Sequence, residues 1–136
     1  MPRSRAEIRA EIERFEPGDE GWLPLDSLVV ELLENGATTE DADTLLKVFE
    51  RFPEEDGDGV FWALVHGLEA LPGYEPHVVA AVQRAPNEFN LLLVRRMLNS
   101  GKEVAAGTRL VSLLQAVAER TDLPDGVRRE AAGHLQ

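Results

Sequence analysis

Apolar residues return along this chain with the three-to-four-residue spacing of helices almost from end to end. Over 5–15 the stripe is thin (Ile8, Ile12, Phe15) and predicts a peripheral first helix. The segment from Glu16 to Gly21 is a loop. Over 24–34, Leu25, Leu28, Val29, Leu32 and Leu33 keep the spacing of a buried face; Pro24 suits the first turn and Asn35-Gly36 the stop. A third helix over 39–52 repeats the pattern with Ala42, Leu45, Leu46, Phe49 and Phe52, and Thr38 or Thr39 is placed to cap it. After the polar loop Pro53–Gly59, a fourth helix over 60–71 is apolar on almost every side, from Val60 and Phe61 to Leu68 and Leu71, as expected of a central buried helix.

Pro72-Gly73 ends that helix, and Pro76 and Pro86 bracket a fifth over 76–85. The sixth, over 87–99, is again strongly apolar, with Gly101 placed to cap its C-terminus. The seventh spans 108–120. The last, over 124–134, carries only Val127, Ala131 and Leu135 on one side, as suits a terminal cap. No segment reads as a strand. The fold class expected is therefore all-α: about eight short helices stacked as antiparallel pairs in one domain over 1–136. A right-handed stack of the HEAT type is the first choice and a closed orthogonal bundle the second. No internal sequence repeat is evident, so the solenoid rests on helix length and loop spacing.

A chain of 136 residues buries roughly two-thirds of its unfolded surface and needs no disulfide or metal staple. It has no cysteine, which excludes thiol chemistry and thiolate metal sites. The first residues, MPRSRAEIRAEIERFEP, are charged throughout and contain no apolar signal core, and no stretch is long and apolar enough to span a membrane. A cytoplasmic location fits.

Charge changes the picture most. Residues 1–70 hold 18 acids and 6 bases, a net of −12, whereas 71–136 hold 7 acids and 8 bases, a net of +1. Between Glu16 and Asp58, 14 acids face only Lys47 and Arg51. Such a surface disfavours nucleic acid and anionic membrane as partners. It speeds association with a cationic protein. The candidate partner-binding residues are Asp19, Glu20, Asp26, Glu31, Glu34, Glu40, Asp41, Asp43, Glu50, Glu54, Glu55 and Asp56, forming an acidic face from the second and third helices and their loops.

Candidate chemistry is thin. Glu54, Asp56 and Asp58 fall at positions 1, 3 and 5 of a calcium loop with Gly59 at position 6, but position 12, which needs a bidentate carboxylate, is Val65. A solvated turn with Asp58 capping the fourth helix is the simpler reading. His66, three residues before Glu69, and His77 lack metal-site spacing and a partnered nucleophile; His66 reads as a hydrogen-bonded core histidine. Ser4, Ser27, Ser100 and Ser112 lie in no nucleophile motif, and no glycine-rich phosphate loop is present. No enzyme activity, cofactor or metal is expected. Arg95-Arg96 interrupt an apolar helix and call for internal partners, with Glu69, Glu88 and Glu103 as candidates.

The run GVFWALVHGLEALPGYEP, then APNEFNLLLVRRMLNSG and LVSLLQAV, resembles small helical immunity proteins of bacterial polymorphic-toxin and contact-dependent-inhibition systems. The resemblance covers about half of the chain and is carried by Trp62, His66, Glu69, Leu71, Pro72, Gly73 and Tyr74. It implies an all-helical inhibitor that binds a protein toxin domain and silences it; a monomer or weak dimer is expected when the chain is free. A basic nuclease is the attractive case, because its active site must hold phosphates. A helical-repeat adaptor with a non-toxin partner is the alternative.

Overall fold

The computed structural model describes residues 3–136. The expected all-α class holds. The described residues form α1 (Arg5–Arg14), α2 (Leu23–Glu34), α3 (Ala42–Arg51), α4 (Val60–Glu69), α5 (Glu75–Arg84), α6 (Glu88–Asn99), α7 (Leu110–Glu119) and α8 (Asp125–Gly133). They group into two compact units, one ending at Tyr74 and the other spanning Glu75–Gln136. The charge boundary read from the sequence falls at this division: no acid or base lies between Glu69 and Glu75.

In the N-terminal unit α1 packs on both α2 and α3, and α4 also packs on both. Two helix pairs, α1–α2 and α3–α4, are thus stacked first member on first and second on second. Helix α1 is less peripheral than its thin stripe suggests, because Ile8 and Ile12 are fully buried. Its start is fixed by a capping box: Ser4 Oγ accepts from the Glu7 amide at 3.1 Å, and the Glu7 carboxylate accepts from the Ser4 amide at 3.4 Å. Thr38 caps a 3-10 turn, Thr39–Asp41, that leads into α3.

An aromatic cluster closes one end of this unit. Trp22, buried at the N-cap of α2, meets Phe15 at 5.7 Å, Phe52 at 5.1 Å and Phe61 at 5.2 Å between ring centroids; Phe61 also meets Phe49 at 5.2 Å. The Trp22 contacts with Phe52 and Phe61 are edge-to-face, the geometry favoured by the ring quadrupoles. Arg51 adds polar ties, donating from Nη1 to the Ile12 carbonyl at 3.0 Å and from Nη2 to the Phe15 carbonyl. The ends of α1 and α3 and the starts of α2 and α4 therefore lie together.

Helix α4 is buried along Phe61, Leu64, Val65 and Leu68, but its outward side departs from expectation. Trp62 is 43% exposed, and the His66 side chain is 65% exposed with Nδ1 3.9 Å from Glu69 Oε1. His66 is thus a surface residue, because positions 62 and 66 share the one face of α4 that turns away from α2 and α3.

In the C-terminal unit α5 pairs with α6 and α7 with α8, and α6 also packs on α7 and α8. Helix α6 begins at buried Asn87 in a reciprocal cap: the Asn87 amide donates to Asn90 Oδ1 at 2.9 Å and the Asn90 amide to Asn87 Oδ1 at 3.0 Å. It ends as expected at Gly101, where the Gly101 and Lys102 amides reach back to Leu98 and Met97. The expectation of no strand is corrected by a two-residue hairpin, β1 (Val104–Ala105) with β2 (Thr108–Arg109). Its turn, Ala106-Gly107, has φ of 52° and 71°. These values suit the tight turn that matches strand twist, and alanine in place of the usual asparagine hid it. Arg95 Nη1 donates to the His134 carbonyl at 2.9 Å, so its partner is a main-chain oxygen rather than a carboxylate.

Two outcomes follow. Trp22→Ala should cost about 3–5 kcal/mol in urea unfolding, against less than about 0.5 kcal/mol for its exposed neighbour Leu23→Ala. In the C-terminal unit, burial raises the pKa of Glu75, but hydrogen bonds from Lys102 and a backbone amide, with the Lys102 charge, outweigh it and hold the carboxyl below its usual 4.5. Its stabilising contribution is complete above that value and lost as pH falls through the lowered one. Glu75→Gln should therefore flatten the acid limb of stability against pH, read by denaturant midpoints at a series of pH values.

Candidate functional site

The acidic residues sort by which end of the N-terminal unit they occupy. Phe15 precedes the loop Glu16–Gly21 and Trp22 follows it; Phe52 precedes the loop Pro53–Gly59 and Phe61 follows it in the first turn of α4. Because those four aromatic residues form one cluster, both loops leave the same end of the unit. Together they carry Glu16, Asp19, Glu20, Glu54, Glu55, Asp56 and Asp58, all exposed.

Each loop is held in a defined shape. In the first, the Gly21 amide donates to the Gly18 carbonyl at 2.9 Å, leaving Asp19 and Glu20 as the central pair of a tight turn. In the second, the Asp58 amide donates to Asp56 Oδ1 at 2.9 Å. Asp58 does not cap α4: it sits in a 3-10 turn with φ of 51°, and Gly59 takes the N-cap position in the left-handed region. Buried Gly57 underlies this turn, with φ of 63°; a Cβ there would lie 2.5 Å from the Phe61 ring. Only glycine fits both the conformation and the space.

The opposite end is organised differently. Asp41 is 0% exposed. Its Oδ1 accepts from Arg9 Nη1 at 3.1 Å, its Oδ2 accepts from the Thr38 amide at 2.9 Å, and Arg5 Nε lies 3.6 Å from Oδ2. Arg5 also donates to the Gly36 carbonyl at 3.1 Å. Asp41 is thus a structural anchor that ties α1 to the start of α3, and it is corrected out of the docking set: no part of its side chain can reach a partner. Glu40 stands beside it, exposed, 3.8 Å from Arg5 Nη2.

The remaining candidates lie between the ends. Glu31 pairs with Arg3, which also takes Glu11, so its charge is partly cancelled. The two carboxylates raise the Arg3 pKa above its ordinary value. Glu34 is exposed at the end of α2, Asp26 is half-buried on α2, and Asp43 and Glu50 are half-buried on α3. Helices α2 and α3 each pack on α1 and α4 and so stand diagonally across the unit, with their solvent faces in different layers. The expected single face built from these two helices does not form. The structure instead brings together Asp19, Glu20, Glu54, Glu55 and Asp56, joined by Glu16 and Asp58. Glu34 and Glu40 stand off by about the 18 Å length of a 12-residue helix.

Two bases stand at that end, exposed Arg14 at the close of α1 and exposed Arg51 at the close of α3, against seven acids. Arg3, Arg5, Arg9 and Arg51 are all committed to partners within the unit. Among the described residues, neither Asp19 nor Glu20, nor Glu54 nor Glu55, makes an ion pair. Among the described residues, no group of three His, Cys, Asp or Glu side chains is arranged to hold a metal ion. Among the same residues, no helix is long and apolar enough to cross a membrane. No protein-family model, curated protein or solved structure matches the chain.

Asp41→Asn should weaken the Arg5 and Arg9 pairs while keeping its size. A loss of about 1–3 kcal/mol in urea unfolding is expected, below the cost of breaking a fully buried pair because both arginines reach solvent. Glu40→Gln, one residue away and exposed, should change stability by less than about 0.5 kcal/mol.

Proposed function

We propose that this chain is an immunity-type inhibitor that binds a basic protein toxin domain and neutralises it by occlusion, without catalysis. The observation that carries the reading is the pair of fixed loops at one end of the N-terminal unit: seven exposed carboxylates against two exposed bases, Arg14 and Arg51. Surface repulsion of that density opposes folding, so it calls for a use outside the fold. The resemblance of residues 60–117 to immunity proteins of polymorphic-toxin systems supplies the partner class. A nuclease fits best, since a surface shaped to hold phosphates competes directly for carboxylates. The inhibitor would act in the cytoplasm of the producing cell.

Co-expression with the C-terminal domain encoded immediately upstream is the first test. Protection of growth and co-purification of the two products are expected; a toxic upstream domain against which the chain gives no protection overturns the reading. With the toxin in hand, reversing Asp19, Glu20, Glu54 and Glu55 to Lys should slow association by about 10–1000-fold at low salt. Reversing Glu34 and Glu40 should have a much smaller effect, because they lie at the far end. Equal rates for both sets would remove the electrostatic mechanism.

A further inference from the structure

Beside the acidic turn runs an open groove of about 740 Å³, lined by Arg3, Glu11, Asp19, Glu20 and the first two turns of α2, including Leu23, Pro24 and Leu28. Leu23 is 70% exposed directly after buried Trp22, and it is the most exposed large apolar residue among those described. Its neighbours on the outward side of α2 are Ser27 and half-exposed Val30, four and seven residues on. A lone exposed leucine carries no message. This one lines a concavity together with two carboxylates on a hydrogen-bonded turn, neither of them paired with a base among the described residues. Arg3, the one cation among the described lining residues, is already held by Glu11 and Glu31.

We propose that this groove seats a basic segment of the protein partner: an apolar side chain rests on Leu23, Pro24 and Leu28, and flanking Lys or Arg side chains meet Asp19 and Glu20. The inference rests on the reading of the chain as a binder of a basic protein and names where and how the partner is held. Charge decides among occupants. A second copy of this chain would bring its own net charge of −11 against an acidic rim, and an anionic lipid or nucleic acid would meet the same repulsion. A cationic segment gains from the carboxylates and covers the apolar part of the lining. Interfaces concentrate their binding energy in this way, in a central apolar anchor ringed by polar contacts. The rest of the acidic end then steers the approach, while the groove sets the lifetime of the complex.

The test uses the full chain labelled with ¹⁵N and three peptides of equal length: one alternating Lys and Leu, one alternating Lys and Ser, and one alternating Glu and Leu. The Lys/Leu peptide should shift the amides of Gly21, Leu23, Ser27 and Leu28, and should bind at least about tenfold more tightly than the Lys/Ser peptide. The Glu/Leu peptide should not bind. Leu23→Ser and Ser27→Arg, both at exposed positions, should each remove most of that preference and leave thermal unfolding unchanged. Shifts confined to Glu54–Asp58 or to Glu34–Glu40, or equal affinity for the Lys/Leu and Lys/Ser peptides, would overturn the groove as the seat. With the toxin itself, protection retained at full affinity by Leu23→Ser and Ser27→Arg overturns the groove while leaving the immunity reading standing. Peptide binding in the groove together with no protection from the toxin supports the groove and sinks the immunity reading alone.

Discussion

The contact of Trp22 with Phe15, Phe52 and Phe61 is the interaction on which the N-terminal unit depends. Four helix ends converge there, and each of the two connecting loops is flanked by members of the same cluster. An aromatic cluster suits this task because large rigid rings bury much area for little lost rotamer freedom and prefer defined mutual angles. Whatever the loops carry is thereby held in place by apolar packing rather than by ion pairs. That matters where the loops carry like charges, because pairing would cancel the field that the packing preserves.

The distribution of bases follows the same division. At the end of the unit where α2 leads into α3, arginines are matched to a carboxylate, Arg5 and Arg9 to Asp41, while Arg3, held by Glu11 and Glu31, lines the groove beside the Asp19–Glu20 turn. At the aromatic end, Arg51 donates to two main-chain carbonyls and lies against the Phe52 ring, and together with Arg14 it offsets only two of the seven acidic charges there. One end of the unit uses its charge for cohesion and the other keeps it for the outside.

Much of this was legible in the sequence, and what was not has physical reasons. Helices α1–α8 fall within a few residues of their expected spans, because apolar periodicity and Pro, Gly or Thr punctuation agree along most of the chain. The buried role of Asp41 was hidden because its partners, Arg5 and Arg9, are 36 and 32 residues away in sequence, and local pattern sees only a charge on a polar stripe. The exposure of His66 was hidden by its apolar neighbours; only packing of α4 against α2 and α3 shows which face is left over. The acids of the aromatic end were all visible, but their grouping was not. The signal that could have found it is the placement of Phe15, Trp22, Phe52 and Phe61 at the margins of the two acidic loops.

The fixed loops have one more consequence. Carboxylates that packing holds close together repel one another in the free protein, and dissolved ions relieve that strain: at 0.1 M the screening length is about 10 Å. The same ions weaken the pull on a cationic partner. Electrolyte would therefore act on this molecule with opposite signs, firming the isolated fold while weakening the attraction for the cationic partner proposed above, which on binding would take over the role of the counterions it displaces.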